Sequence, residues 1–576
     1  MRFASDPPIA TKISRMNYRV RWQHPLVAKH GIDQTRLVIA PDPAAQDPAA
    51  QGPAAQDLDK RSLQDAAEKA QLGTAGFSFL VLGDSGTSRH LQDRPQRHVA
   101  QRLIEHSSAC DFILHTGDVV YLTGSSEQYP DNFIKPYREF IVGGERPNKV
   151  CFDKMTFKLP FLPVLGNHDY YDLSIGIGLI SKALTPLRKL LKKRINLDIG
   201  WHGSFQGEGY ARAFLDCLEL VGTAQLEGHF AKHYTHPTDT GRCLRYVPGK
   251  FTRLPNRYYS FRQGGVDFFA LDSNTFNAPQ PLPKTEEGRT QREKIQAFRR
   301  LLESEVRSLE EESNLLNIDI PEEAERANHI YAKLEQLEEQ LHDIEMQLNA
   351  SYRSNTVDTA QLDWLRDRLI ASWQDPSAKG RVLYFHHPPY VTEKTKWFQA
   401  QTLAVRFHLR ELLDQVDAAV GEESKGRPLV DLVLSGHAHC FEYLKTEETG
   451  HGDRNIPWVV CGGSGFSLRR QRQEGDVLEE FGQPVAKCHL FIGRSGTGNH
   501  KRRPYSALRV DVTYNDNPDI PKFELRPLVA ERYQGKWRNY ELGPIDTQAN
   551  VSADSLSLPD PVTSEYVDTD ELSAVN

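Results

Sequence analysis

With 576 residues, 39% of them apolar and 26% charged, the chain is long enough for a large buried core, and no stretch reaches the roughly eighteen apolar residues that a membrane span needs. The formal charge of -7 is matched by the seven acids from Asp546 onward, where no Lys or Arg stands, so the rest of the chain is near neutral and offers no general electrostatic footprint for a nucleic-acid backbone. Seven cysteines without paired close spacing do not read as a disulfide framework, and with a first segment that lacks an apolar core the expectation is a soluble, cytoplasmic protein.

Residues 1 to about 40 are mixed, and Pro43-Ala44-Ala45-Gln46, echoed at Pro48 and Pro53, predicts a low-complexity linker in the segment ending at residue 76. From Phe77 apolar strand-like runs alternate with helical stretches, an α/β pattern; the first helix is expected over 93–106, with Val99, Leu103 and Ile104 on its apolar side. A first insertion, about 173–256, carries a basic run over 182–194 and the histidines His229, His233 and His236. His229 and His233 stand at helical spacing, but no acidic third ligand fits beside them, so they read as surface or substrate-pocket histidines ahead of a zinc site. Residues 258–261 and 266–272 predict a strand hairpin turning at Gly264-Gly265.

A second insertion, about 284–354, places Ile295, Phe298, Leu302, Val306 and Leu309, then Ile330, Leu334, Leu337, Leu341, Ile344 and Leu348, at spacings of three and four on either side of Pro321. This pattern predicts an antiparallel helical hairpin with a coiled-coil seam, each arm about 35 to 40 Å long at about 1.5 Å per residue. A decoration satisfied within itself and a lid or partner-docking arm are equal readings of it. Residues 358–369 predict a capped helix, 458–461 and 507–512 predict strands closing the second sheet, and the acidic segment 546–576 predicts a disordered tail.

Five polar motifs each follow an apolar strand-like run. They are Gly83-Asp84-Ser85-Gly86, Gly117-Asp118-Val119-Val120-Tyr121, Gly166-Asn167-His168-Asp169, His386-His387-Pro388-Pro389-Tyr390 and Gly436-His437-Ala438-His439. Strand ends are where catalytic loops of α/β sheets sit, and the motifs pool oxygen and nitrogen donors without a thiolate, a set for hard or borderline cations. Cys440 and Cys461, close by in sequence, read as small buried thiols.

In order and spelling the motifs resemble the calcineurin-like metallophosphoesterase superfamily, and within it the purple acid phosphatase pattern D-x-G, G-D-x-x-Y, G-N-H-D/E, H-x-P, G-H-x-H, over roughly residues 77–466. The resemblance implies a four-layer α+β sandwich of two packed mixed sheets flanked by helices, with one domain over 77–545 interrupted by both insertions. It implies two metal ions, iron with iron, zinc or manganese, or else a divalent manganese or zinc pair. Asp118 would bridge them; Asp84, Tyr121 and His439 would complete one shell, and Asn167, His386 and His437 the other. Many relatives have His where Gly86 stands, and in the purple acid phosphatase type Tyr121 takes its place. His168 would bind phosphate or protonate the leaving group, and Asp169 either orients that imidazole or closes a local turn.

The reaction implied is hydrolysis of a phosphate ester by a metal-bound hydroxide. A phosphomonoesterase is the first reading; a phosphodiesterase or nuclease on the same centre is the second, and a catalytically silent scaffold with the helical hairpin docked to a protein partner is the third.

Overall fold

Runs such as Phe79-Leu80-Val81-Leu82 and Phe112-Ile113-Leu114 are apolar at every position, so the strands they form need cover on both faces. The computed structural model, which describes residues 4–40, 76–86, 94–173, 208–317, 320–351, 356–514, 517–549 and 558–559, supplies it with two packed mixed sheets flanked by helices, as the resemblance implied. The first sheet has seven strands, six in the spatial order Lys536–Glu541, Lys522–Tyr533, Arg502–Thr513, Phe77–Leu82, Phe112–His115 and Phe161–Pro163, with Ile545–Asp546 pairing beside Lys522–Tyr533. The last three of the six are parallel to one another. The second sheet has eleven strands around the parallel set Val266–Ala270, Gly380–Tyr384, Leu432–Ser435 and Pro457–Cys461.

Aromatic side chains join the layers. Phe79 and Phe112 of the first sheet stack at 5.0 Å, Phe261 and Phe268 of the second at 4.8 Å, and the two pairs meet edge-on at 5.3 to 5.5 Å. Each such contact contributes about 0.5–1.5 kcal/mol beyond its buried area. The helix Pro95–Ser107 covers the outer face of the first sheet with Val99 and Leu103 fully buried; Pro95 at its first turn lacks only an N–H that would have no helical partner. The helices Thr359–Gln374 and Ala400–Val420 cover the second sheet through Leu365, Leu369, Val405, Leu409 and Leu413. The expected strand hairpin is Tyr259–Gln263 and Val266–Ala270, with Gly264 and Gly265 both at positive φ, 54° and 82°, which the tight turn demands.

Several placements differ from the sequence reading. The mixed first forty residues include the strand Ile32–Ile39, which lies in the second sheet between Tyr259–Gln263 and Gly241–Tyr246. The later part of the first insertion therefore extends a sheet, with Gly241–Tyr246 and His236–Thr238 at its edge. The strand Arg502–Thr513, expected in the second sheet, pairs with Phe77–Leu82 in the first; only Pro457–Cys461 joins the second. Of the acidic tail, Asp546 is paired in a strand and the Pro559 carbonyl accepts from Arg502 Nη2 at 2.9 Å, so these residues are held against the body. The linker at 43–53 and the basic run at 182–194 lie outside the described residues.

The helical hairpin is present as Glu286–Asn314 and Pro321–Asn349, 29 residues each and so about 44 Å long. Leu302, Leu337, Leu341 and Ile344 are buried in its seam, with Ile295, Val306, Leu309 and Leu348 packed on them; Phe298 instead faces outward, 47% exposed. The hairpin is not satisfied within itself. Its second arm docks on the body, where the Asp343 carboxylate accepts from the backbone N–H groups of Ala400 at 2.8 Å and Gln401 at 3.0 Å, capping the helix Ala400–Val420 from outside. Asp343→Ala should therefore cost about 1 kcal/mol, as loss of an N-cap does. A lower denaturant midpoint at unchanged helical circular dichroism is the expected result, and an unchanged midpoint would remove the capping role.

Candidate metal centre

The five motif loops leave Phe77–Leu82, Phe112–His115, Phe161–Pro163, Gly380–Tyr384 and Leu432–Ser435, which are parallel within their own sheets, so each sheet delivers its loops at one edge. There the predicted side chains converge, buried. Tyr121 Oη lies 2.9 Å from Asp84 Oδ1, 2.9 Å from Asp118 Oδ2 and 3.2 Å from His439 Nε2, and Asp84 Oδ1 is 3.5 Å from His439 Nε2. Bonds of about 2 Å to one ion leave neighbouring donor atoms roughly 3 Å apart, which is the spacing these four atoms have. A second group adjoins the first through Asp118: its Oδ2 is 3.4 Å from His386 Nε2, which is 3.0 Å from Asn167 Oδ1. The His437 ring lies 5.0 Å from that of His386; its Nε2 is 2.9 Å from Lys396 Nζ, leaving Nδ1 as the ring nitrogen for an ion.

Neighbouring groups aim these donors. His386 Nδ1 donates to the Thr116 carbonyl at 2.9 Å and His439 Nδ1 to that of Ser467 at 3.2 Å, so each ring turns an Nε2 lone pair inward. The outer oxygens are also held: Asp84 Oδ2 accepts from His437 N at 2.8 Å and Asp118 Oδ1 from His168 N at 2.9 Å. Asp84, Asp118, His437 and His439 all have positive φ, 52°, 56°, 69° and 47°, a backbone cost of the kind that persists at functional sites. Gly86 has a separate reason: a Cβ there would lie 2.6 Å from Cδ2 of Tyr121, so the tyrosine ring fills the space a side chain at 86 would need.

Asp169 does not touch the His168 imidazole. Its carboxylate accepts from Gly166 N at 2.9 Å, Asp118 N at 3.0 Å and Val119 N at 3.2 Å, closing its own turn and tying two motif loops together. The His168 ring is oriented by the Leu122 carbonyl, to which Nδ1 donates at 2.8 Å, so Nε2 is the nitrogen left to exchange a proton. His387 has its Nδ1 on Ser273 Oγ at 2.8 Å, and its ring lies 5.0 Å from that of His386 and 4.6 Å from that of His437, so the three form a further group of donors that overlaps the second. His229 is paired with Asp216 at 2.8 Å and His233 stacks on Phe251 at 3.7 Å, which accounts for both without a metal. Cys440 and Cys461 are buried free thiols, as read.

Electrostatically the carboxylates outnumber the charge that His386 brings, although against its burial the Asp118 charge holds that imidazole up to about 9. Burial, reinforced by the Asp118 charge and opposed by His386, pushes Asp84 well above the usual carboxylate range, and burial followed by the same Asp118 charge raises Asp169. Burial and then both carboxylates hold the Tyr121 phenol far above its ordinary range. A cation among these donors relieves all three. The oxygen-rich shell around Tyr121 and the nitrogen-rich shell around His386 fit two ions sharing Asp118. Two groups that no motif signalled also border the site, Lys396 and Arg469; nothing in the spacing of residues 393–398 or 466–472 marks them.

The family model of the calcineurin-like phosphoesterases matches residues 77–233, which hold Asp84, Asp118, Tyr121, Asn167 and His168. The chain carries a calcineurin-like phosphoesterase domain. His386, His437 and His439 lie beyond that match in sequence and meet its residues in space. No curated protein matches the chain. Fourteen solved chains do. Among them, purple acid phosphatase PPD1 isolated from yellow lupin (Lupinus luteus) seeds is 12% identical at a TM-score of 0.36, over 81% of this chain and 53% of its own. GAP50, the anchor in the inner membrane complex of Plasmodium, is 13% identical at 0.34, over 79% and 84%. Among the described residues no helix is long and apolar enough to cross a membrane.

Ions bound only by the folded state stabilise it by about 2.7 kcal/mol at a hundredfold excess over Kd. A chelator should accordingly lower the thermal midpoint of the metal-loaded protein. Asp118→Asn should bind less metal by elemental analysis and show a smaller chelator effect, because an amide is a poor bridge between cations.

Proposed function

We propose that this chain is a metal-dependent phosphomonoesterase whose two ions are held by Asp84, Asp118, Tyr121 and His439 on one side and by Asp118, Asn167, His386 and His437 on the other. The observation that carries the reading is the meeting of Asp84, Asp118, Tyr121 and His439 around one point, with Asp118 shared with the His386 group. Iron beside iron, zinc or manganese suits the tyrosine-containing shell, and a divalent manganese or zinc pair is the alternative. Bound there, the ions supply an activated water near neutral pH and neutralise charge on the phosphoryl oxygens.

The chain's own residues do the rest. Asp169 and the backbone N–H groups of His168 and His437 keep the carboxylates in place before substrate arrives, so little reorganisation is left for the reaction. His168, its Nδ1 committed to Leu122 O, offers Nε2 to protonate the departing alkoxide.

Side-by-side assays with an aryl phosphate and an aryl phosphodiester separate the readings. Turnover of the monoester is expected; turnover of the diester alone would make this a phosphodiesterase, and full metal content without turnover of either would favour a silent scaffold. His168→Ala should keep its metals and lose about 10²–10⁴-fold in rate, most for substrates with poor leaving groups. Equal losses for good and poor leaving groups would argue against the acid role. Iron-loaded protein should show a visible charge-transfer band that Tyr121→Phe removes; a band that survives would take Tyr121 out of the ligand set.

A further inference from the structure

The second hairpin arm, Pro321–Asn349, reaches the metal centre with one acidic side chain. Glu339 Oε2 is 3.1 Å from Lys396 Nζ, and its Oε1 is 3.7 Å from Arg469 Nη2. Both cations border the ligand loops. Lys396 Nζ is 2.9 Å from His437 Nε2, and Arg469, whose backbone N–H donates to the His439 carbonyl at 3.0 Å, brings its charge to bear on the His439 ring. Both are buried, their side chains 2% and 6% exposed. Arg469 Nη1 donates to the Ala332 carbonyl of the same arm at 3.0 Å, while Nη2 is buried without a hydrogen-bond acceptor, since 3.7 Å is beyond hydrogen-bond reach.

Two buried cations beside a phosphate-ester site, one of them with an unfilled donor, are more than a structural ion pair needs. Glu393 acts on both cations and Glu335 on Arg469 through charge, while Glu339 makes the close contacts; a guanidinium and an ammonium together match the several anionic oxygens of a phosphate group better than the one carboxylate in contact with them. We propose that Lys396 and Arg469 form a subsite for anionic oxygens of the phosphate ester, and that Glu339 fills it in this structure as a built-in anion. This rests on the phosphoesterase reading above and adds a condition to it: the substrate must displace a carboxylate carried by the hairpin, so the hairpin's second arm is an autoinhibitory contact. The arm's other ties, Asp343 on the helix Ala400–Val420 and His342 against the Tyr171 ring at 6.2 Å, lie within four residues of Glu339, so displacing Glu339 loosens the turn of helix they share.

The test titrates full-length, metal-loaded protein with inorganic orthophosphate by calorimetry. If Glu339 fills the subsite in about nine molecules of ten, apparent affinity is lowered about tenfold, so Glu339→Gln should tighten orthophosphate binding by about that factor at equal metal content. Arg469→Met should change affinity little in the wild-type background and weaken it in Glu339→Gln. Unchanged or weaker binding in Glu339→Gln overturns the proposal. If that variant does not fold, the wild type decides: orthophosphate should speed amide hydrogen exchange over residues 335–343, and unchanged or slower exchange there overturns it. Aryl phosphate turnover is followed in parallel. Tighter orthophosphate binding without turnover overturns the hydrolase reading and leaves the subsite standing; turnover without tightening does the reverse.

Discussion

Burying several carboxylates in one place, with His386 as the charge that offsets them most directly, is the constraint on which the rest of this structure depends. Asp84, Asp118 and Asp169 are each at most 1% exposed, and burial raises Asp84 and Asp169 while Asp118 takes most of the benefit of His386 and His168. A fold gains nothing from such an arrangement by itself, because desolvating like charges is costly unless hydrogen bonds and counter-charges offset it. The hydrogen bonds are present, from the backbone of Asp118, Val119, Gly166, His168 and His437. The counter-charge is what the inward-facing donor atoms are arranged to receive.

That arrangement explains local features that would otherwise look like defects. Four of the residues aimed at the centre hold left-handed backbone, a conformation that costs a non-glycine residue on the order of 1–3 kcal/mol. The fold can sustain it because each loop is clamped to another. Beneath the loops, Tyr170 donates to Asp272 at 2.6 Å and Arg257 pairs with Asp358 at 2.5 Å, so the short helix Asn167–Tyr170 stands on a buried polar network. Within it Gln361 Oε1 accepts from Asp272 N and Asn274 Nδ2 donates to Asp272, while Asn274 Oδ1 and Arg257 Nε have no hydrogen-bond partner among the described residues.

The helical hairpin is the least predictable part in functional terms. Its seam is an ordinary apolar stripe, and a stripe says only that two helices pack. The outer face of the second arm carries the information: Asp343 caps a core helix and Glu339 sits on the two cations beside the centre. A segment with these contacts belongs to the site's electrostatics as much as to the fold's periphery.

The sequence by itself determined the strand-loop pattern and the oxygen and nitrogen donors its loops carry, because those depend on residue type and on where an apolar run ends; the division of the donors between two ions came only from the resemblance. It likewise determined the two helices of the hairpin, whose period is local. Only the tertiary structure decided that Ile32–Ile39 enters the second sheet, that Arg502–Thr513 closes the first, and that Asp169 braces the loops and Leu122 orients His168. Lys396, Arg469 and Glu339 were invisible to motif reading for the same reason: each comes from a different segment, and a charge on a helix or loop acquires meaning only from what the fold sets opposite it. Strand partners and ion pairs far apart in sequence are set by the packing of whole layers, which no window of residues contains.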